Sequence, residues 1–397
     1  MQPRSSTDAA RRRASLGELA AYFLTLGTIA FGGPAAHIAL MEEQVVRRRA
    51  WLTREEFLDL LGAANLIPGP SSTELAIFIG FRQAGWRGLV VAGVCFIMPA
   101  FLIVTGIAWT YRRFGALPAV AAVLYAVKPV VIAVVLQALR GLAQTALKSR
   151  WMVVVALCTL VAAALGVPPL SVLGIGALLT VFPVIMRTSK ARAVAVLPRF
   201  TTPSVAGGIV AGGVAAGGAI VGLWPLFLVF LKVGAVLFGS GYVLLAFLHG
   251  DLVQRLHWLT EQQLLDAVAV GQMTPGPVFT TATFVGYVLG GLPGAVVATL
   301  GIFVPSFVYV AASGPLIPML RRSAIAGAAL SGATVASLAL MAVVSVQLGR
   351  AALVDAMTVA ILAASLVLLV KFRVSSAWLI LGAAVLGMGS MLLLHGG

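Results

Sequence analysis

The sequence predicts an all-α polytopic membrane protein built from two inverted-topology repeats with discontinuous helices, with about 10–13 transmembrane segments. Three observations support this fold class. Hydrophobic residues make up 60% of the 397 residues and charged residues only 10%, with a mean hydropathy of +1.06. Apolar runs recur near or above the ~20 residues that span a bilayer. The second half of the chain repeats the order of features in the first half.

Charge and composition exclude several classes of protein. The net charge of +15 comes from basic residues in short loops between apolar runs, which is typical of a topology signal beside anionic headgroups and not of a nucleic-acid surface. Two cysteines and four scattered histidines show no ligand spacing, so we expect no metal and no cofactor. No catalytic constellation or nucleotide-binding motif is visible, and we expect no enzyme activity.

The chain divides into four predicted segments. Residues 1–15 form a polar N-terminal lead-in, and residues 16–186 form the first repeat. Residues 187–222 form a linker that is first basic and then rich in Gly and Ala, and its run 204–222 offers an extra span. Residues 223–397 form the second repeat.

The repeat is detected as a constant offset. Pro275-Gly276-Pro277 follows Pro68-Gly69-Pro70 by 207 residues, and Trp258 follows Trp51 by the same number. After one deletion the offset becomes 206, which aligns Pro305 with Pro99. A near-constant offset over some seventy positions indicates duplication.

The Pro-Gly-Pro segments interrupt apolar runs. Two prolines cannot continue a helix, and the glycine between them is conformationally free. Ser71, Ser72 and Thr73 follow the first segment as caps, with Glu74 placed as in a capping box, so we expect a new helix to begin inside the span. A helix N-terminus at this depth favours an anion.

A second break precedes each Pro-Gly-Pro segment. Gly32-Gly33-Pro34 follows Phe31, and Phe238 is followed by Gly239 and Ser240. The alternative interpretation treats every break as a packing kink, but two duplicated breaks that are each followed by small or hydroxyl residues favour a site. Hydroxyls and backbone amides suit a tetrahedral oxyanion, because they donate hydrogen bonds without a buried positive charge.

The predicted site therefore has two sets of residues. The substrate-binding set is Gly32, Gly33, Pro34, Pro68, Gly69, Pro70, Ser71, Ser72, Thr73, Gly239, Ser240, Pro275, Gly276, Pro277 and Thr280. The set for coupling or the pathway is His37, Glu74, Lys128 and Lys232, which place ionisable groups within apolar runs. Asp251 and Asp266 are expected to face water or to pair with loop arginines.

Two topologies are open. If the Pro-Gly-Pro segments span, the distribution of Lys and Arg residues favours a cytoplasmic N-terminus and opposite orientations of the two halves. The linker then crosses the membrane once more, which makes the number of crossings between the repeat starts odd. If these segments are re-entrant hairpins, each half has five spans, the linker does not span and the N-terminus lies outside. We favour the first, since Arg11–Arg13 suit the cytoplasm.

The motifs resemble those of the chromate transporter (CHR) family in its long, two-domain bacterial form. The resemblance lies in the run 30–39, in Trp51-Leu52, in the segment 65–71, in the turn 80–88, and in Phe238-Gly239 and Pro275–Pro277. It covers roughly residues 16–390. Gly239-Ser240-Gly241 departs from the Gly-Gly-Pro of the first half.

The resemblance implies export of chromate across the bacterial inner membrane by a multi-pass transporter, with sulfate as a look-alike substrate. Membrane potential would drive a dianion outward, and proton coupling is optional. The alternatives are a transporter of sulfate or another anion, or a non-transporting membrane protein. The expected partners are the oxyanion and the lipid bilayer, and no nucleic-acid partner is expected. The sequence leaves open whether the protein forms a homodimer.

Overall fold

The computed structural model describes residues 13–115, 117–189, 221–237 and 243–395. The helices are α1 (Leu16–Ile29), α2 (Gly33–Met41), α3 (Arg54–Ala64), α4 (Ser71–Phe114), α5 (Pro118–Ala146), α6 (Arg150–Ala164), α7 (Pro169–Ser189), α8 (Leu223–Val236), α9 (Leu244–Leu248), α10 (Glu261–Met273), α11 (Thr281–Ala311), α12 (Ser313–Arg322), α13 (Ala324–Ala352), α14 (Ala356–Val370) and α15 (Ser376–His395). Residues 204–220 of the Gly- and Ala-rich run and residues 1–12 of the lead-in lie outside the described residues.

The helices have the length and surface of membrane spans. Five of the described helices are long and apolar enough to cross a bilayer, namely α4, α5, α7, α11 and α13. Several shorter helices are also apolar. Large apolar side chains lie on the outside, such as Leu178, which is 70% exposed, and Trp378, which is 71% exposed. Exposing such an apolar surface to water is unfavourable, whereas contact with lipid hydrocarbon is not. The predicted all-α polytopic membrane fold is confirmed.

The two repeats share unusual backbone features as well as sequence. A π-helical segment follows α2 at Glu42–Arg48, and another follows α9 at His249–Arg255. Each segment ends near a non-glycine residue in the left-handed region, Ala50 with φ 50° and His257 with φ 51°. These positions are 207 residues apart, so the duplication is preserved at the level of single φ angles.

The Pro-Gly-Pro segment of the first repeat is the tip of a re-entrant hairpin. Arg82 near the end of residues 71–83 contacts Glu56 in the first turn of α3, with Nη2 3.2 Å from Oε1. The amide of Gln83 donates to the carbonyl of Trp51 at 2.9 Å, and Gln83 Oε1 accepts from the backbone N–H of Ala14. We call this end of the molecule the proximal end. Both arms begin and end there, so the expectation that Pro-Gly-Pro spans is wrong.

The same contacts make α1 and α2 a second hairpin of the first repeat. Ala14, before α1, and Trp51, after the π-helical segment, both meet Gln83 at the proximal end. Trp51 also packs edge-on against Tyr22 of α1, with ring centroids 5.8 Å apart. The tip of this hairpin is the break at 30–33.

Helix α4 reverses direction at Ala84–Gly85. Gly85 has φ 59°, and a Cβ placed on Gly80 would lie 2.2 Å from the carbonyl oxygen of Gly88. Residues 71–83 therefore pack backbone to backbone against the start of residues 86–114. Gly286 and Gly294 repeat this approach beside the reversal at Gly291, with φ 63°.

The second repeat is inverted relative to the first. Arg112, near the far end of residues 86–114, donates to the carbonyl oxygen of Tyr287, and its Nη1 lies 3.7 Å from a Cβ placed on Gly291. The reversal in the second repeat thus lies at the opposite end from Gly85. We call this the distal end. Hairpins of the two repeats enter the protein from opposite ends, as inverted topology requires.

The remaining helices form a second body. Helices α5–α7 of the first repeat pack against α13–α15 of the second, with close backbone approaches such as that between Gly176 and Gly332. We call these six helices the bundle, and we call α1–α4 with α8–α12 the hairpin module. Within the hairpin module, residues 86–114 pack against α11.

The first prediction concerns the glycine contact at the reversal of α4. Gly80→Ala would place a methyl group against the Gly88 carbonyl, and overpacking of this kind costs about 1–3 kcal/mol or more. We expect a lower unfolding temperature in detergent and less folded protein. Gly106→Ala is the control, because a Cβ there meets nothing within 4 Å. Equal stability of the two variants would contradict the hairpin.

Candidate functional site

The breaks of the two repeats meet at the centre of the hairpin module. The N–H of Gly69 donates to the carbonyl of Leu237 at 2.8 Å, and the N–H of Gly276 donates to the carbonyl of Ala30 at 3.0 Å. Gly276 lies 207 residues after Gly69, and Leu237 lies 207 residues after Ala30. The two bonds are therefore copies of each other, and each joins the Pro-Gly-Pro tip of one repeat to the first break of the other.

This crossing lies halfway through the membrane. A Cβ on Gly276 would lie 2.9 Å from the methyl group of Ala100, which is close to the middle of residues 86–114. Its counterpart Ser306 lies beside Gly69, with Oγ 2.8 Å from a Cβ placed there. At about 1.5 Å per residue, Ala100 is roughly 20 Å from each end of the spanning segment 86–114.

The Pro-Gly-Pro sequence leaves one backbone donor at each tip. Pro68 and Pro70 lack an N–H, so the amide of Gly69 is the donor between them, and it is used on Leu237. Gly69 and Gly276 adopt φ 135° and 87°, which favour glycine. The amides of these two glycines therefore hold the repeats together and are not available to an anion.

His37 joins the first break to the half-helix that follows Pro-Gly-Pro. The buried ring has Nε2 3.0 Å from the carbonyl oxygen of Ala30 and Nδ1 3.3 Å from Ser72 Oγ. Because a carbonyl only accepts, Nε2 carries the proton, and a neutral ring accepts at Nδ1 from the serine hydroxyl. Pro34 stands in the first turn of α2 as expected, after Gly32 and Gly33, which have positive φ.

The residues after Pro70 form a buried polar cluster. The helix begins at Ser71 with Pro70 as N-cap and no side-chain cap, so the expected capping box of Ser71 and Glu74 is absent. Thr73 Oγ1 is buried without a hydrogen-bond partner in the described structure, and the buried carboxyl group of Glu74 lies beside the hydroxyl of Ser306. Glu74 Oε1 would lie 2.2 Å from a Cβ on Gly69, so this carboxyl group lies directly against the crossing.

The second repeat has no equivalent of this cluster. Thr281 occupies the position of Glu74, and Ala100 occupies that of Ser306. The hydroxyl of Thr280 donates to the Pro277 carbonyl at 2.8 Å, and that of Thr281 to the Val278 carbonyl at 2.8 Å. The hydroxyls of Thr280 and Thr281 are thus satisfied by their own backbone.

The two tips also differ in exposure. Asn65 and Gly32 are exposed, and Gly33, Pro34, Pro68 and Ser71 are half-buried. In the second repeat, the segment 274–286 is buried throughout, including Pro275–Pro277. Of the two Pro-Gly-Pro tips, the tip of the first repeat is thus the less buried one among the described residues. Gly239 and Ser240, both predicted to bind substrate, lie outside the described residues.

Each predicted pathway lysine has a buried carboxylate partner. Lys128 Nζ lies 3.0 Å from Oδ1 of Asp266, and Lys232 pairs with Asp251, which also contacts Arg255 at 3.3 Å. The side chains of Asp266 and Asp251 are 5% and 7% exposed. The expectation that Asp266 faces water or pairs with a loop arginine is therefore wrong, whereas Asp251 pairs with Arg255 as expected and also with Lys232. The sequence carried no signal for these pairs, because their partners are distant in the chain.

The described residues contain no group of three or more His, Cys, Asp or Glu side chains placed to hold a metal ion. The site is built from hydroxyls, a carboxyl group, a histidine and backbone groups.

The second prediction tests the position of Glu74 over Gly69. Gly69→Ala adds a methyl group that overlaps the Glu74 carboxylate, and it also strains the backbone at φ 135°. We expect little folded protein in membranes, measured by fluorescence-detected chromatography. Adding Glu74→Ala should restore part of the yield, since the overlapping oxygen is removed. Failure of any rescue would contradict this contact.

Comparison with known proteins agrees with this architecture. The family described as "Chromate transporter" matches the chain twice, at residues 17–181 and 224–388. A "Chromate transport protein" of Cupriavidus metallidurans is 32% identical over 388 residues, 96% of this chain and 94% of the relative. A "Probable chromate transport protein" of Synechococcus elongatus is 33% identical over 86% of each chain. No solved structure matches the chain significantly.

The double match covers most of the chain and coincides with the two structural repeats. Members of this family are membrane transporters and not enzymes. The chain belongs to the chromate transporter family.

Proposed function

We propose that this protein exports chromate from the cytoplasm of a bacterial cell across the inner membrane. The observation that carries the proposal is the crossing of four helix breaks at mid-membrane, beside the hydroxyl-bearing start of the half-helix 71–83. Discontinuous helices at the interface of inverted repeats are where transporters bind their substrates. The names of the relatives supply the substrate, chromate.

The distribution of positive charge supports a cytoplasmic proximal end. Most basic residues of the described loops and helix ends lie there, and cytoplasmic loops normally collect Lys and Arg. The proximal set is Arg13, Arg47, Arg48, Arg49, Arg54, Arg82, Arg87, Arg140, Lys148, Arg150, Arg322, Lys371 and Arg373, and the distal set is Arg112, Arg113, Arg255 and Arg350. The N-terminus is then cytoplasmic, although the Pro-Gly-Pro segments are re-entrant.

The proposed oxyanion site is the start of the half-helix 71–83 in the first repeat. Ser71 is half-buried, and Thr73 Oγ1 is buried without a partner. Ser72 turns its hydroxyl toward His37. The first amides of a helix carry a partial positive charge, which together with these hydroxyls favours a tetrahedral dianion without a lysine or arginine clamp.

The position of Glu74 supports proton coupling at this site. An ionised carboxylate and a dianion would repel each other strongly in a site of low dielectric constant, so the anion binds together with a protonated Glu74. The titratable neighbour is Tyr309, whose hydroxyl donates to the Ala235 carbonyl, and His37 contacts Ser72, two residues before Glu74. We propose that a proton moves with the anion, which lowers the charge that crosses the membrane.

The direction of transport follows from the membrane potential. Each elementary charge that leaves a negative interior gains about 2.3 kcal/mol per 100 mV, and a dianion gains roughly twice that. Carrying one proton along would halve the gain but would not reverse it. Outward movement of chromate therefore needs no other energy source.

The third prediction tests the substrate site by counterflow of labelled chromate in proteoliposomes with an imposed potential. Ser71→Ala with Ser72→Ala removes hydroxyls that meet the anion or position His37. Hydrogen bonds to charged groups contribute about 1.5–3 kcal/mol each, so we expect an apparent affinity lower by roughly tenfold or more. Ser331→Ala is the control, because this hydroxyl bonds the Gly327 carbonyl on an exposed face of the bundle.

Unlabelled sulfate and chloride as competitors define the substrate class in the same assay. Competition by sulfate would show that the site recognises a tetrahedral dianion and does not require chromium. Normal flux in the double serine variant would place the oxyanion elsewhere.

The fourth prediction concerns the proton. Glu74→Gln keeps the shape of a protonated carboxyl group but cannot release a proton. We expect downhill chromate counterflow to persist, while an imposed pH gradient no longer changes the flux. Glu55→Gln, at an exposed position of α3, should keep the response of the parent protein. A pH-gradient response that survives in Glu74→Gln would rule out this residue as the proton carrier.

A further inference from the structure

Helices α3 and α10 occupy equivalent places in the two repeats but have different surroundings. Leu58 of α3 is 50% exposed, whereas its counterpart Leu265 of α10 is 1% exposed. Asp59 is exposed, and its counterpart Asp266 is buried. Because a carboxylate on an exposed face avoids lipid, the uncovered side of α3 faces water.

The bundle accounts for the difference. Helix α10 packs against α5, α13 and α15 of the bundle, while the main packing partners of α3 in the described structure are α4 and the preceding π-helical segment. Among the described residues, the hairpin module is therefore closed against the bundle at α10 on the distal side, while the outer face of α3 on the proximal side is exposed.

A cluster of polar side chains makes the distal closure. Asp266 accepts from Tyr111 Oη at 2.8 Å and pairs with Lys128, whose Nζ also donates to Gln262 Oε1 at 2.6 Å. Gln262 then donates to the carbonyl of Ala351 at 2.8 Å. These contacts tie α4, α5, α10 and α13 together beside a cavity of about 250 Å³ at the distal end.

The proximal side lacks the same pair. With the offset of 206 residues, Thr334 occupies the position of Lys128 and Ile317 that of Tyr111. The sequence therefore encodes this lysine–aspartate pair at the distal place and not at its repeat equivalent on α13.

We propose that Lys128 and Asp266 form the distal gate of the transporter, closed in this structure, and that opening it exchanges the surroundings of α10 and α3. This inference rests on the proposed transport function. In the opposite state, α3 would pack against α13 while α10 faces water at the distal end, as expected when one body rocks against another around a fixed site.

A buried ion pair suits a contact that must open repeatedly. The loss of hydration on burial cancels much of the attraction between the two charges, so separating them into water costs little net free energy. Removing only one partner leaves an unpaired buried charge, which favours the state in which that charge is hydrated.

The fifth prediction follows the gate by thiol labelling. In a background with Cys95→Ala and Cys158→Ala, Leu58→Cys and Leu265→Cys are made separately, and their reaction with a charged maleimide is timed in opened membrane fragments. We expect fast labelling at position 58 and slow labelling at position 265. Lys128→Gln should raise the rate at 265 and lower the rate at 58, each by about tenfold, because the two-state equilibrium shifts.

Two further variants separate the gate from a merely structural role. Lys128→Asp with Asp266→Lys restores the pair in reverse and should return both rates to those of the parent protein. Thr334→Val changes the equivalent position on the proximal side and should leave both rates unchanged. A rise at both reporter positions, which indicates loosened packing, or no change at either, would overturn the gate. Because labelling needs no substrate, chromate counterflow with the same preparations reads the transport function separately.

Discussion

The structure depends on the need to satisfy every backbone polar group at the middle of a membrane. A helix break there exposes donors and acceptors that lipid cannot satisfy. The protein solves this by crossing the breaks of two repeats, so that Gly69 bonds Leu237 and Gly276 bonds Ala30. The prolines on each side of these glycines reduce the donors that need partners. Each repeat thus completes the other, and neither hairpin tip is satisfied within its own half.

The proposed function rests on side chains that differ between the two repeats. The crossing bonds are the same in both halves, but Glu74 and Ser306 face each other across one tip where Thr281 and Ala100 stand at the other. A single buried carboxyl group can carry a proton without a second one repelling it. Likewise, Lys128 closes one side of the module against the bundle, and Thr334 stands at the matching position on the other side. A symmetric frame with asymmetric side chains can hold one face closed while the other is open.

Sequence periodicity cannot distinguish re-entrant hairpins from segments that span the membrane. A run of apolar residues interrupted by Pro-Gly-Pro has the same composition whether its two arms continue across the membrane or fold back. The contacts that decide, Gln83 with Trp51 and Arg82 with Glu56, join residues far apart in the chain. The sequence of α4 likewise resembles that of one long helix. The reversal of the chain at Ala84–Gly85 needs only Gly85 in the left-handed region and small residues at Gly80 and Gly88, which no longer-range pattern indicates.

The sequence by itself determined the membrane class, the duplication and the places where helices break, because hydropathy, a constant offset and the backbone chemistry of proline and glycine are local or periodic properties. It also singled out His37, Glu74, Lys128 and Lys232, since an ionisable group in an apolar run has a high free energy unless it has a role. Only the tertiary structure decided the partners of these groups, the use of the Gly69 and Gly276 amides between repeats, and the side that is open. Those features depend on contacts between distant segments, which no local pattern encodes.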